Sequence, residues 1–314
     1  MPSPLPLQQI SARTEDGVAL GLFECEPRQP HAGARTAYLL VHGFVQNRHT
    51  FSAGELPREL IAAGGRVFLG ELRGHGRSAR GKATGLEVHL SLDLPALVRA
   101  TQQASGLDRV VLVGHSMSGM LGYGYLGRTP ALSGLVTLGS PVVLGAGRPL
   151  LRRVGKLLAP LAKQKLLEDL PFAQVLYLAS FLSTLPPRRG PLKELRELAR
   201  LANPAEVDRS AVQRVLRSGD PASRQVVEDL LEIIRSERAQ IGGVDLVESV
   251  ERSPLPILAV VGGRDIFASA ESVAPILRGP GPRRILELPE AAHVDLTMGK
   301  RARTIAEAIA SANP

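Results

Sequence analysis

One serine stands where two segments of different character meet, in Arg109-Val-Val-Leu-Val-Gly-His-Ser116-Met-Ser-Gly-Met-Leu-Gly-Tyr-Gly-Tyr125. Val110 to Val113 is an unbroken β-branched and aliphatic run, which predicts a strand buried on both faces. Met117 to Leu126 predicts a helix packed closely enough to need small residues. A serine at the tip of such a strand–turn–helix is held in a strained backbone conformation, with its hydroxyl above the sheet. That hydroxyl is a weak nucleophile at neutral pH. It needs a base in hydrogen-bond reach, and the base needs an acid that fixes its tautomer and stabilises its charged form. Two later residues can supply these groups. Asp265 follows the strand-like Pro254–Val261 and Gly262-Gly263, and His293 follows the strand-like Arg284–Leu288. Both fall at carboxyl ends of predicted strands, on the side where Ser116 lies. Singly each signal is weak, because an aspartate after a strand is usually a turn or cap residue. Together with the His42-Gly43 that follows another predicted strand, all at strand ends, the joint signal is strong. Asp295 is the nearest competitor for the acid, but it is so close in sequence to His293 that Asp265 is preferred.

The elements that must position these residues are readable in outline. Residues 8–26 predict a hairpin turning at Glu15-Asp16-Gly17. Thr36–Val41 and Arg66–Gly70 predict buried strands, with a helix over Phe51–Ala63 between them, capped by Thr50 or Ser52 and ended by Gly64-Gly65. Asp93 is expected to cap a helix over Ala96–Ala104 that stops at Gly106. Leu132–Gly139 predicts another strand. The strand–helix rhythm then stops for about 110 residues, longer than an ordinary loop. Within that interval Pro149–Leu167 is leucine-rich with a basic stripe, Pro171–Leu185 is nearly apolar, and Leu192–Leu201 and Pro221–Arg235 read as amphipathic helices. The rhythm resumes at Pro254, with helices predicted over Ser269–Leu277 and Gly299–Ala312.

Gly114-His115-Ser116-Met117-Ser118-Gly119 resembles the nucleophile elbow of the α/β-hydrolase family, with Ser118 in place of the second glycine of Gly-x-Ser-x-Gly. His42-Gly43-Phe44 after a strand resembles the loop that supplies half of that family's oxyanion hole. Glu71-Leu-Arg-Gly-His-Gly-Arg-Ser78 resembles its Asp-x-Arg-Gly-His-Gly-x-Ser loop, with glutamate for aspartate. The resemblance covers nearly the whole chain outside 142–250. It implies a mainly parallel eight-stranded α/β sheet with helices on both faces. The core is expected over 1–141 and 251–314, and 142–250 is expected to be an inserted helical cap. It implies acyl transfer to water: Ser116 attacks a carbonyl, His293 moves the proton, Asp265 supports His293, and the backbone N–H groups of Phe44 and Met117 hold the oxyanion. His42, His75 and Glu71 are expected to be structural. No cofactor and no metal are expected. Epoxide hydrolases and dehalogenases of the family carry aspartate at the position of Ser116, and its polyester synthases carry cysteine, so these chemistries are disfavoured.

Composition narrows the partners. The chain has 314 residues, 44% hydrophobic and 22% charged, enough for a substantial core. The formal charge is +8, yet aromatics are 4% with no tryptophan, so base-stacking platforms are poorly supplied and no nucleic-acid partner is expected. The expected partner is a small-molecule ester with an apolar acyl group, because the insertion is rich in leucine and phenylalanine. Its basic stripe raises a weak contact with a membrane surface or anionic lipid. Cys25 is the single cysteine, which excludes an internal disulfide. No apolar run is long enough to span a bilayer and no secretory signal is visible, so a cytoplasmic location is expected. An acyltransferase or peptidase on the same three residues, and a non-catalytic ligand-binding protein of this fold, remain as alternatives.

Overall fold

The computed structural model describes residues 5–26, 34–126, 132–158, 201–207, 211, 212, 215, 218–221 and 223–312. Eight strands form one sheet in the order β1-β2-β4-β3-β5-β6-β9-β10. β1 (Leu7–Arg13), β2 (Ala19–Cys25) and β4 (Arg66–Gly70) pair antiparallel in sequence. The remaining neighbours are parallel: β4 with β3 (Ala37–Val41), β3 with β5 (Val110–His115), β5 with β6 (Gly134–Leu138), β6 with β9 (Ile257–Gly262) and β9 with β10 (Arg283–Leu288).

The apolar runs are continuous because both faces are covered. Val110 and Leu112 of β5, with Ala259 and Val261 of β9, join one core layer. Val111 and Val113, with Leu258 and Val260, join the other. This is the pattern of a parallel sheet sandwiched between helices. Cys25 is buried at the end of β2.

The registers bring strand ends level. His115 pairs with Leu138, Leu138 with Val260, and Leu288 with Gly262. The loops after β5, β6, β9 and β10 therefore open on one edge of the sheet.

The helices expected over Phe51–Ala63 and at Asp93 depart from expectation, and that expected over Ser269–Leu277 is an α turn, Ala270–Val273, followed by a 3-10 helix, Ala274–Arg278. The helix expected over Phe51–Ala63 is broken into α1 (His49–Ser52) and α2 (Leu56–Ala62). The break falls at Gly54, where a Cβ would lie 2.6 Å from Met298 Cα and Thr297 O. Backbone packs on backbone there, so the chain turns aside before Pro57 restarts the helix. Neither Thr50 nor Ser52 caps it. The second departure is at Asp93, which is not a cap. The helix begins earlier, with α3 (Leu86–Val88) and a π turn (His89–Asp93) running into α4 (Leu94–Ser105). The Asp93 carboxylate instead meets Arg73 Nε at 2.8 Å and His89 Nδ1 at 2.7 Å. Gly106 ends α4 in the left-handed conformation, as expected.

α5 (Met117–Leu126) follows the expected bounds and is buried almost throughout. In 142–250 the described elements are α6 (Pro149–Leu158), α7 (Arg224–Ser236), a small hairpin of β7 (Gln240–Ile241) and β8 (Val244–Asp245), and α8 (Leu246–Arg252), which packs against α5. The Asp245 carboxylate caps α8 through Val247 and Glu248 N–H. The nearly apolar segment expected over Pro171–Leu185 and most of the amphipathic helix expected over Leu192–Leu201 lie outside the described residues. Leu201, Val207, Ala211, Val212 and Val215 cluster with Val294 and Met298.

Candidate active site

Ser116 is the hinge between β5 and α5. Its φ is 54°, a left-handed value that a non-glycine residue adopts only when its surroundings force it. Those surroundings are visible. Its N–H donates to Leu138 O at 2.9 Å, and its carbonyl accepts from Gly119 and Met120 N–H at 3.1 and 3.2 Å. A Cβ on Gly114 would lie 2.5 Å from Gly119 N, so the strand and helix cannot approach this closely around a larger residue. Ser118, at the position of the motif's second glycine, is fully buried and donates its hydroxyl to the His42 carbonyl. The substitution thus joins the serine turn to the loop after β3.

His293 Nδ1 is 2.8 Å from Asp265 Oδ2. The other carboxylate oxygen accepts from Phe267 and Ala268 N–H at 2.8 and 3.2 Å. Asp265 is therefore held at both oxygens and directed at one ring nitrogen, which leaves Nε2 of His293 as the nitrogen not committed to the carboxylate. Both residues are buried, while Ser116 is partly exposed. Around the His293 ring, Phe267 packs edge-on at 4.8 Å and His115 at 4.7 Å between centroids. Gly139, just past β6, has φ 61°, and a Cβ there would stand 2.7 Å from Asp265 Oδ2 and 3.0 Å from His293 Nδ1. Its glycine is required twice over, by conformation and by space, and sequence reading gave it no role beyond ending a strand.

The competing acid, Asp295, is engaged elsewhere. It accepts from Ala292 N–H at 2.7 Å and from Asn203 N–H at 3.0 Å. Burial pushes its carboxyl up to about 6. It ties the segment beginning at Leu201 to the loop that carries His293, since Val294 N–H also donates to Leu201 O.

Of the two expected oxyanion donors, Met117 directly follows the serine and Phe44 lies one residue beyond a glycine packed against it. Met117 opens α5, where the first N–H groups of a helix have no intrahelical acceptor. Phe44 follows Gly43, whose Cα faces Ser116 so closely that a Cβ would be 2.9 Å from Ser116 Cβ. His42 Nδ1 is 2.8 Å from Gly43 O, and its Nε2 accepts from Leu72 N–H at 3.2 Å. Burial holds its pKa well below the usual value, so it is neutral and orients the loop. Glu71 is fully buried, accepting from the Arg48 guanidinium at 2.8 Å and Arg77 N–H at 2.7 Å. Its extra methylene spans two loops. His75 Nδ1 meets Arg73 O at 3.0 Å, and burial likewise lowers its pKa. Among the described residues, no group of three histidine, cysteine, aspartate or glutamate side chains is placed to hold a metal ion. No described helix is long and apolar enough to cross a membrane.

A gastric triacylglycerol lipase of Rattus norvegicus is 28% identical over 150 residues, which is 41% of this chain and 37% of the lipase. The match thus spans well under half of that relative. Solved structures similar over the whole length include an esterase from Exiguobacterium antarcticum, with TM-score 0.65, 16% identity and coverage of 97% of this chain and 98% of that one. An esterase from Rhodococcus sp. has TM-score 0.63 and 18% identity, covering 98% and 99%. Epoxide hydrolase A from Mycobacterium thermoresistibile has TM-score 0.64 and 17% identity, covering 98% of each. At such identities the likeness is one of fold, and the fold is shared by different chemistries. The model of the α/β-hydrolase fold matches residues 37–296. The chain belongs to the α/β-hydrolase fold family.

Proposed function

We propose that the protein is a serine hydrolase that cleaves a carboxylic ester with an apolar acyl group through an acyl-enzyme intermediate. Ser116 is the nucleophile, His293 the general base and then acid, and Asp265 the residue that fixes the His293 tautomer and stabilises its imidazolium. The observation that carries this reading is the Asp265–His293 pair at 2.8 Å, on the sheet edge where Ser116 is held at φ 54°. Ser116 loses its proton to His293 as Oγ bonds to the ester carbon. The oxyanion is received by Met117 and Phe44 N–H. Collapse expels the alcohol with the proton from His293, and water repeats the sequence on the acyl-enzyme. Each oxyanion donor is worth about 10²–10³ in turnover.

In this reading 142–250 is a cap, of which Leu201, Val207, Ala211, Val212 and Val215 pack on Ile266, Phe267 and Val294, in the loops of Asp265 and His293. α6 carries exposed Leu157 beside Arg153 and is the candidate for a weak anionic-lipid contact. A cytoplasmic site of action belongs to the same reading, since Cys25 is buried and has no partner for a disulfide. The serine rather than an aspartate at 116 favours ester over epoxide chemistry.

The test is labelling by a fluorophosphonate probe, followed by a panel of acyl esters of rising chain length. The reading expects labelling that disappears in Ser116→Ala and His293→Ala, and turnover of apolar esters. A folded parent that neither labels nor turns over any ester would end it.

A further inference from the structure

We infer that Gln46 and His115 are positioning residues which hold the loop of Phe44 and the loop of His293 in mutual register. The inference rests on the serine-hydrolase reading.

The loop after β3 needs holding. Val45 has φ 52°, and a β-branched side chain in the left-handed region is strained. Asp220 N–H donates to Val45 O at 3.1 Å from outside the loop. From within it, Gln46 Oε1 accepts from Gly43 N–H at 3.0 Å. The same oxygen lies 2.9 Å from His115 Nδ1. Gly43 immediately precedes Phe44 and lies so close to Ser116 that a Cβ on it would be 2.9 Å from Ser116 Cβ, so whatever fixes Gly43 also fixes the direction of the next peptide.

His115 reaches the other way. It is fully buried, ends β5, and its Nε2 is 3.3 Å from the carbonyl oxygen of His293. Both ring nitrogens therefore face oxygen acceptors. The Gln46 assignment is not free to invert, because its amide NH₂ would then oppose Gly43 N–H. Burial and the neighbouring His293 hold the His115 pKa well below its usual value, so the ring is neutral and owns one N–H. The shorter contact takes the proton: Nδ1–H donates to Gln46 Oε1, and the ring meets the loop of His293 by packing, 4.7 Å from the His293 ring, rather than by a hydrogen bond from Nε2. A neutral ring is also what the reaction requires. During turnover His293 becomes an imidazolium, with its ring 4.7 Å from that of His115, and a second positive charge there would oppose it.

Gln46→Met keeps the length of the side chain and removes the acceptor. Gln46→Glu keeps the acceptor. The readouts are the rate of fluorophosphonate labelling, kcat and KM on a soluble p-nitrophenyl ester, and the pH profile of kcat. Misaiming an oxyanion donor acts on the transition state, so Gln46→Met is expected to lose about 10- to 100-fold in kcat and labelling rate, with KM within about threefold. Gln46→Glu is expected to stay within about threefold of the parent at pH 8. Its acidic limb moves to higher pH, because the carboxylate favours a charged His115. Gln46→Ala, which adds no bulk, repeats the Met result if that variant folds poorly. Unchanged kcat and labelling in Gln46→Met or Gln46→Ala, or a Glu variant no better than Met, would overturn the inference while leaving a labelled parent as evidence for the serine hydrolase. An unlabelled, inactive parent would instead remove the underlying reading, and this inference with it.

Discussion

Two aspartate–histidine pairs at nearly equal distances lie among the described residues. Asp265 Oδ2 meets His293 Nδ1 at 2.8 Å, and Asp93 Oδ2 meets His89 Nδ1 at 2.7 Å. All four residues are buried. The difference is in what surrounds each pair. The second oxygen of Asp265 receives two backbone N–H groups, a neutral setting that leaves the carboxylate's charge for the imidazole. The second oxygen of Asp93 receives Arg73 Nε at 2.8 Å, so its charge is already shared with a guanidinium. His89 and Asp93 sit one helical turn apart, and His89 Nε2 is buried with no hydrogen-bond partner. His293 belongs to a loop at the sheet edge that also presents Ser116. An aspartate–histidine contact is thus not a site in itself. Place in the fold, and a carboxylate with no competing cation, distinguish one pair from the other.

The comparison can be broken by mutation. Ser116→Ala, His293→Ala and Asp265→Asn are each expected to lower kcat by about 10⁴-fold or more on any ester the parent turns over, the last by leaving His293 in the wrong tautomer. His89→Ala is expected to leave kcat within about threefold. A comparable kcat loss in His89→Ala would mean that the two pairs are not different in kind. Asp93→Ala should act on stability instead. It strips buried Arg73 of its buried partner but leaves it Asp16, at 2.9 and 3.0 Å, so the loss is expected below the about 3–5 kcal/mol of breaking a buried pair outright. Urea midpoints with an unchanged m-value would measure it.

The pair at the sheet edge was legible in sequence, and the one in the helix was not. Asp265 and His293 each follow an apolar run whose strand character is local, so their place at the edge could be read from a few neighbours. Asp93 stands before Leu94-Pro95 and carries every local mark of a cap. Its true partner, Arg73, is twenty residues away and meets it only because α4 packs beside the loop after β4. The break at Gly54 has the same origin, since it depends on contact with Thr297 and Met298. α5 was read to its exact bounds because its small residues and the elbow lie side by side in the chain. Gln46 has no local signature, because its role depends on a side chain from another strand.

The buried histidines also set a direction with pH. His42 and His115 are held neutral, with pKa values well below the ordinary 6.5. Below pH 6.5 the unfolded chain takes up protons there that the folded one refuses. Their contribution to stability is therefore complete above that pH and lost as pH falls, by up to about 1.4 kcal/mol per unit for each. Asp295 runs the other way. Its carboxyl is raised from 3.8 to about 6, so its contribution is present at the lowest pH and lost as pH rises through about 6. Between pH 6 and 4 it offsets the histidines. Asp295→Asn removes the offset and should steepen the acid loss by about 1 kcal/mol per unit, read from urea midpoints at pH 6 and 5. An equal or shallower slope in the variant would contradict this assignment.

The smallest effect tests why the serine turn departs from the family pattern. Ser118 Oγ donates to the buried His42 carbonyl, which ties the elbow to the oxyanion loop. If that bond is the reason for serine, Ser118→Ala should cost about 1 kcal/mol, the usual net worth of one hydrogen bond, and lower kcat only a few-fold. Ser118→Gly restores the glycine of the motif but loses the same bond, and it adds the backbone entropy of a glycine in the first turn of α5. Glycine should therefore be less stable than alanine, although it is the residue the pattern prefers. A glycine variant as stable as the parent would show that space, not the bond to His42, decides this position.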